Sequence, residues 1–289
     1  MKTLPLNTCW LLLSSGLIGL AAHASEVRRD IEYARVDELS LKCDLYLPEK
    51  PRPPLIVYVH GGGWGSGSKA DMPLGALVRE GFAVAGVDYR LSRQAPFPAQ
   101  AHDIKAAIRF LRAEQTQLGI DARQIVIAGS SAGGHLAAIV GVTNGNKELE
   151  GTVGEHRGAS SEVQGIVSFF GASDLMTILG QSTERGRKMR APALQLLLGG
   201  QPAEKPDLAR LASPVEHIDA HDPPLLLIHG EADPQMPPAQ SKELAAAYES
   251  AKLPVKLVLI PGALHGGKEF YDSERTALVK DFLDQIVRK

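Results

Sequence analysis

The stretch that most constrains this chain is Ile125-Val126-Ile127-Ala128-Gly129-Ser130-Ser131-Ala132-Gly133-Gly134-His135. Four apolar residues enter Gly-x-Ser-x-Gly, and an Ala-rich helical pattern (Leu136, Ala137, Ala138, Ile139, Val140) follows at once. A buried strand, a tight turn and a helix would put one serine, Ser131, at the sharpest point of the turn. Glycines two before and two after it fit a backbone so crowded there that a Cβ would clash. The pentapeptide alone is common by chance. Its setting between strand and helix is what makes it informative.

Runs of mostly apolar, often β-branched residues recur along the chain: Leu55 to Val59, Phe82 to Val87, Gln124 to Ala128, Val163 to Phe170, Leu225 to Ile228 and Val255 to Ile260. Each reads as a strand buried on both faces. Helical patterns alternate with them. One carries Ile104, Ile108, Leu111, Gln115 and Leu118 on one face, with Gly119 near its C-terminus. A second runs from about Pro238 to Lys252, and a last one lines up Leu278, Phe282 and Ile286. Buried strands alternating with amphipathic helices call for an α/β fold, a mostly parallel central sheet with helices on both faces. Val27 to Leu47 alternates instead, as a half-exposed antiparallel strand or hairpin does. Asn144 to Ser161 reads as an exposed loop. The irregular segment from about 172 to 215 reads as a small cap over the C-terminal edge of the sheet, where such sheets bind their ligands.

The 289 residues have room for one large core, so residues 25–289 read as one domain. Net charge is −2, and neither a single-sign run nor a basic patch interleaved with aromatics occurs. Nucleic acid and anionic membrane surfaces are therefore poor partners. Residues 1–24 differ in kind. Lys2 is their one charged residue, Trp10 to Leu20 is apolar apart from small residues, and Ala22-His23-Ala24 suits a signal peptidase. The segment reads as a secretory signal peptide cut after Ala24, too short in its apolar run to anchor across about 30 Å of hydrocarbon. Cys9 precedes that run, whereas a lipid-modified cysteine would follow it. Secretion or a periplasmic address is the expectation. The mature chain then keeps one cysteine, Cys43, which reads as a small buried hydrophobe rather than half of a disulfide.

A serine hydroxyl needs a base, a group to orient the base, and donors for a developing oxyanion. Candidates stand at strand ends. His60-Gly61-Gly62-Gly63-Trp64 follows the run Leu55 to Val59, and its glycines can turn backbone N–H groups inward. Gly62 and Gly63 are the donors expected there, with the N–H of Ala132 as the other. Trp64 reads as a substrate-binding side chain. Two acids, Glu231 and Asp233, follow Leu225 to Ile228; Asp233 sits where a turn into the next helix aims it inward, and Glu231 suits a solvated loop. Of nine histidines, His265 alone lies on a loop after a strand and last in the order Ser, Asp, His. His60 and His229 end strands and suit backbone hydrogen bonds, and His102 and His135 lie in helical patterns where packing is the default. No metal-binding pattern occurs, and no cofactor is expected.

At these positions the chain resembles the α/β-hydrolase superfamily, and within it secreted esterases such as the hormone-sensitive-lipase-like and bifunctional feruloyl/acetylxylan esterases. The matching residues are His60-Gly-Gly-Gly-Trp64, Val87-Asp-Tyr-Arg-Leu91, Gly129-Ser-Ser-Ala-Gly-Gly-His135, Ala212-Ser-Pro214, Asp222-Pro-Pro224, His229-Gly-x-x-Asp233 and Pro261-Gly-x-x-His265-Gly-Gly. The resemblance implies the α/β-hydrolase fold, a triad of Ser131, Asp233 and His265, and an oxyanion hole of Gly62, Gly63 and Ala132. It implies hydrolysis of a small-molecule or polymer-linked ester through an acyl-enzyme. Rival readings are a serine peptidase or an arylformamidase on the same fold, and a binding protein that has lost catalysis. Oligomeric state is not legible. If the leader is cut as expected, N-terminal sequencing of exported material should begin at Ser25; a first residue upstream of it contradicts the cleavage.

Overall fold

A computed structural model describes residues 26–287; the expected signal peptide lies outside the described residues. Eight strands form one sheet: β1 (Glu26–Val36), β2 (Leu39–Leu47), β3 (Pro54–Val59), β4 (Ala83–Val87), β5 (Asp121–Ser130), β6 (Gly165–Phe169), β7 (Leu225–Gly230) and β8 (Val255–Ile260). Their spatial order is β1-β2-β4-β3-β5-β6-β7-β8. β1 and β2 form the expected antiparallel hairpin, β2 pairs antiparallel with β4, and every later pairing is parallel.

Ten helices connect them: α1 (Gly75–Arg79), α2 (Ala99–Ala113), α3 (Gln115–Leu118), α4 (Ala132–Gly141), α5 (Lys147–Glu150), α6 (Ile178–Gln181), α7 (Glu184–Leu198), α8 (Pro206–Leu211), α9 (Ala239–Ser250) and α10 (Ser273–Val287). Strand alternation sorts the core into two layers. Leu55, Val57 and Val59 pack to one side with α2, α4 and α9. Ile56 and Tyr58 pack to the other with α1 and α10. Both faces are covered, which is why the central strands are mostly apolar.

The structure departs from the sequence pattern in five places. β8 is half-buried rather than buried, because it is the sheet edge and has a neighbour on one side only. The helix expected to run through Leu118 breaks at Glu114, and α3 then ends on left-handed Gly119. The buried stripe of α10 is Val279, Leu283 and Ile286; Leu278 and Phe282 are only partly covered. Asn144 to Ser161 is no plain solvated loop, since α5 forms inside it. Asn146 caps α5, and Glu150 takes an ion pair from buried Arg109 and a 2.6 Å hydrogen bond from Ser161.

The 172–215 segment is also more regular than its prolines suggest. It holds α6, α7 and α8, and α7 runs 15 residues with Pro192 inside it. Thr183 caps α7 by accepting from the Gly186 N–H, and Leu194, Leu197 and Leu198 bury its inner side. That side lies on the loops at the C-terminal ends of the strands: Arg190 donates to the Gln235 carbonyl at 3.1 Å and stands over the Trp64 ring.

Cys43 is fully buried in β2, and burial pushes its thiol up to about 12. A thiol so placed has almost no thiolate at pH 8. In the native protein a thiol reagent at about pH 8 should leave Cys43 unmodified by peptide mass spectrometry while labelling it in denaturant. Rapid native labelling contradicts the packing of β2.

Candidate active site

The site is built from a strained turn. Ser131, between β5 and α4, has φ 53° and ψ −119°, in a region non-glycine residues rarely enter. Such a residue costs on the order of 1–3 kcal/mol and persists only where its surroundings over-determine it. Here they do. The Ser131 N–H donates to the Phe169 carbonyl at 2.9 Å, and its carbonyl accepts from His135 N–H at 3.0 Å. A Cβ on Gly129 would stand 2.2 Å from the Gly133 oxygen, and one on Gly133 2.0 Å from the Val59 oxygen. The two glycines of the pentapeptide are thus demanded by backbone packed on backbone.

The turn aims Ser131 Oγ at His265, with Nε2 2.8 Å away. His265 Nδ1 lies 2.6 Å from Asp233 Oδ2. A carboxylate only accepts, so Nδ1 carries the ring proton and Nε2 faces the serine with its lone pair. Asp233 is 7% exposed. Its Oδ1 accepts from the N–H groups of Gln235 and Met236 at 2.8 and 2.9 Å. Burial alone would raise its pKa. The hydrogen bonds from His229 and His265, the charge interaction with His265 and the Met236 N–H outweigh burial and hold the carboxyl well below the usual carboxylate range. Glu231, the other acid considered, is exposed.

The loop after β3 supplies the third part. Gly61 lies against the elbow: a Cβ there would be 3.4 Å from Ser131 Cβ. Gly62 and Gly63 have φ of 102° and 58°, conformations glycine adopts freely. The turn closes through the Gly62 carbonyl, which accepts from the N–H groups of Gly65 and Ser66. The Ala132 N–H opens α4, and Ser131 makes no side-chain cap to α4, so the first N–H groups of that helix have no turn ahead of them. His60 follows β3 with its ring stacked 4.4 Å from that of Tyr89, and Tyr89 Oη donates to the His60 carbonyl at 3.2 Å.

Trp64 corrects an expectation. It is fully buried, so it is no open substrate contact. Its Nε1–H donates to His135 Nδ1 at 3.1 Å, and His135 Nε2 meets the Ala212 carbonyl at 2.6 Å. Burial pushes His135 down to about 4, so the ring is neutral and can accept at Nδ1 while donating at Nε2. Trp64 therefore ties the glycine loop through α4 to the end of the cap segment. Sequence reasoning also passed over Phe170. This residue has φ 41°, and its ring meets that of His265 in an edge-type contact with centroids 4.8 Å apart. Its position directly after a buried strand, like that of Ser131, was the available signal. Among the described residues no group of three or more His, Cys, Asp or Glu side chains is placed to hold a metal ion, and no helix is long and apolar enough to cross a membrane.

A mostly parallel eight-stranded sheet, with a Gly-x-Ser-x-Gly elbow after β5, an acid after β7 and a histidine after β8, is the α/β-hydrolase architecture. Comparison with known proteins agrees. The chain matches the BD-FAE family over residues 43–248 and belongs to that α/β-hydrolase family. It is 31% identical to esterase LipC of Mycobacterium tuberculosis over 84% of this chain and 60% of that one. It is 32% identical to the isoprenylcysteine alpha-carbonyl methylesterase ICME of Arabidopsis thaliana over 91% of this chain and 63% of that one. This chain thus spans less than two thirds of either relative. Among solved structures, a truncated carbohydrate esterase from gut microbiota superposes with a TM-score of 0.82 at 32% identity, covering 92% of this chain and 97% of its own.

The crowding at the elbow gives a direct check. Gly133→Ala should cost several kcal/mol or prevent folding, whereas Gly158→Ala, whose Cβ meets nothing within 4 Å, should change stability by less than about 0.5 kcal/mol. Thermal unfolding of the two variants separates them, and equal melting temperatures contradict the packing described.

Proposed function

We propose that this protein is a serine carboxylic-ester hydrolase, exported after cleavage of residues 1–24, acting on short-chain, carbohydrate-linked or aryl esters. The observation that carries the proposal is the continuous hydrogen-bond chain from Ser131 Oγ through His265 to Asp233. In it, His265 Nε2 takes the serine proton as Oγ attacks the ester carbonyl. Asp233 keeps the proton on Nδ1 and stabilises the imidazolium that forms. The N–H groups of Gly62, Gly63 and Ala132 receive the oxyanion, each such donor contributing about 3 kcal/mol at the transition state. The imidazolium returns its proton to the leaving alcohol, leaving an acyl-Ser131. Water, deprotonated by the same ring, then releases the acid. The likeness to esterases supports ester substrates over peptides, and the likeness to a carbohydrate esterase supports a sugar-linked alcohol.

Ser131→Ala and His265→Ala should each lower kcat by about four orders of magnitude or more with the fold intact, because the residues act as a unit. Asp233→Asn should cost less than either. Rates on acetyl, butyryl and octanoyl esters beside feruloyl and acetylated-xylan substrates then define the acyl and alcohol preference; hydrolysis of a peptide anilide or N-formylkynurenine with no ester turnover overturns the reading. A base that acts only when unprotonated makes kcat/KM rise with pH and level off. Asp233, held ionised below the ordinary range, adds no limb of its own above about pH 4. A flat profile between about pH 5 and pH 9 contradicts a histidine base.

A further inference from the structure

The structure assigns His229 and Ser241 a positioning role: together they hold the Asp233 turn from within the core, so that the carboxylate stays aligned with His265. The inference rests on the triad proposed above and concerns two residues outside it.

His229 belongs to β7, whose preceding residues Leu225 to Ile228 are wholly apolar, and it is fully buried. A buried imidazole amid such residues is expensive unless both nitrogens are satisfied. Both are. Nδ1 lies 2.7 Å from Ser241 Oγ on α9. Nε2 lies 3.0 Å from the Met236 carbonyl and 3.4 Å from Asp233 Oδ2. The carbonyl and the carboxylate facing Nε2 can only accept, so Nε2 must carry a proton. With that single ring proton, Nδ1 is an acceptor, and the hydroxyl of Ser241, itself 1% exposed, is its donor. Hydrogen bonds therefore run one way, from Ser241 to His229 to the 233–236 turn.

The consequence lies in where that turn is gripped. Met236 donates its N–H to Asp233 Oδ1 at 2.9 Å and gives its carbonyl to His229. Both backbone polar groups of Met236 are thereby engaged, and the carboxylate cannot roll without breaking a buried bond. α9 is itself anchored: Gln240, next to Ser241, accepts from the N–H groups of Ser173 and Asp174 at 2.8 and 2.9 Å. Oδ2 meets His265 at 2.6 Å only while this support is rigid. Misplacing a catalytic group by about 1 Å can cost on the order of a hundredfold in rate.

Three variants test the assignment. His229→Phe keeps the ring volume and removes both nitrogens, His229→Gln keeps a donor near Nε2, and Ser241→Ala removes one hydroxyl. Hydrolysis of p-nitrophenyl acetate is measured, with active sites counted by stoichiometric reaction with a phosphonate so that unfolded protein drops out. His229→Phe should lower kcat per titrated site about 10- to 100-fold with KM within about twofold. His229→Gln should recover most of that loss, and Ser241→Ala should lose at least threefold. Wild-type kcat per titrated site in His229→Phe overturns the role, even if the melting temperature falls. Should His229→Phe not fold, an unchanged kcat in Ser241→Ala overturns it equally. Wild-type ester turnover is the separate control: its absence sinks the proposed function and this role with it.

Discussion

The backbone of Ser131, held at a positive φ between a parallel strand and a helix, is the constraint on which the rest depends. A residue in that conformation is unfavourable, and nothing local to the pentapeptide stabilises it. Its support comes from the sheet: the Phe169 carbonyl of β6 holds its N–H, and β3 presses the Val59 oxygen against Gly133. The central strands therefore do more than form a core. Their parallel order brings the ends of β3, β5, β7 and β8 to one rim, and the strain at Ser131 is what lifts its hydroxyl clear of that rim.

Around the elbow, histidines do most of the joining, and they do it unequally. His60 stacks on Tyr89 and steadies the glycine loop. His135 passes a hydrogen bond from Trp64 to the Ala212 carbonyl and so links that loop to the cap segment. His229 ties α9 to the Asp233 turn. These three rings are buried with both nitrogens or a full face engaged. His265 keeps Nε2 turned toward the Ser131 hydroxyl, and its partner carboxylate also accepts from the Gln235 and Met236 N–H groups and faces His229. In the proposed reaction, the division between ring as fastener and ring as base follows from what each nitrogen faces.

Much of this was legible in the residues because two periodicities and a few glycines carry it. Continuous apolar runs located every parallel strand, and glycines flanking Ser131 located the elbow. Residue order singled out His265, and turn chemistry separated Asp233 from Glu231. What escaped is equally physical. Whether Val255 to Ile260 lies at a sheet edge depends on strand order, which a local pattern does not encode. Pro192 masked α7, although Thr183 and the buried leucines were sufficient to start and seat a helix. Trp64 looked like a substrate contact because it ends a loop motif; only the fold shows it turned inward onto His135. Phe170 is marked only by its position after a buried strand, and its place beside the imidazole is a property of β6 meeting the last loop.

Under the proposed function, one hydroxyl among the chain's serines is activated, and by one ring. The most direct measurement is reaction with a fluorophosphonate followed by peptide mass spectrometry on the folded protein and on His265→Ala. A single adduct on Ser131, formed in the wild type and lost when the imidazole is removed, is the predicted result. An adduct on another residue, or equal labelling of Ser131 without His265, contradicts the account.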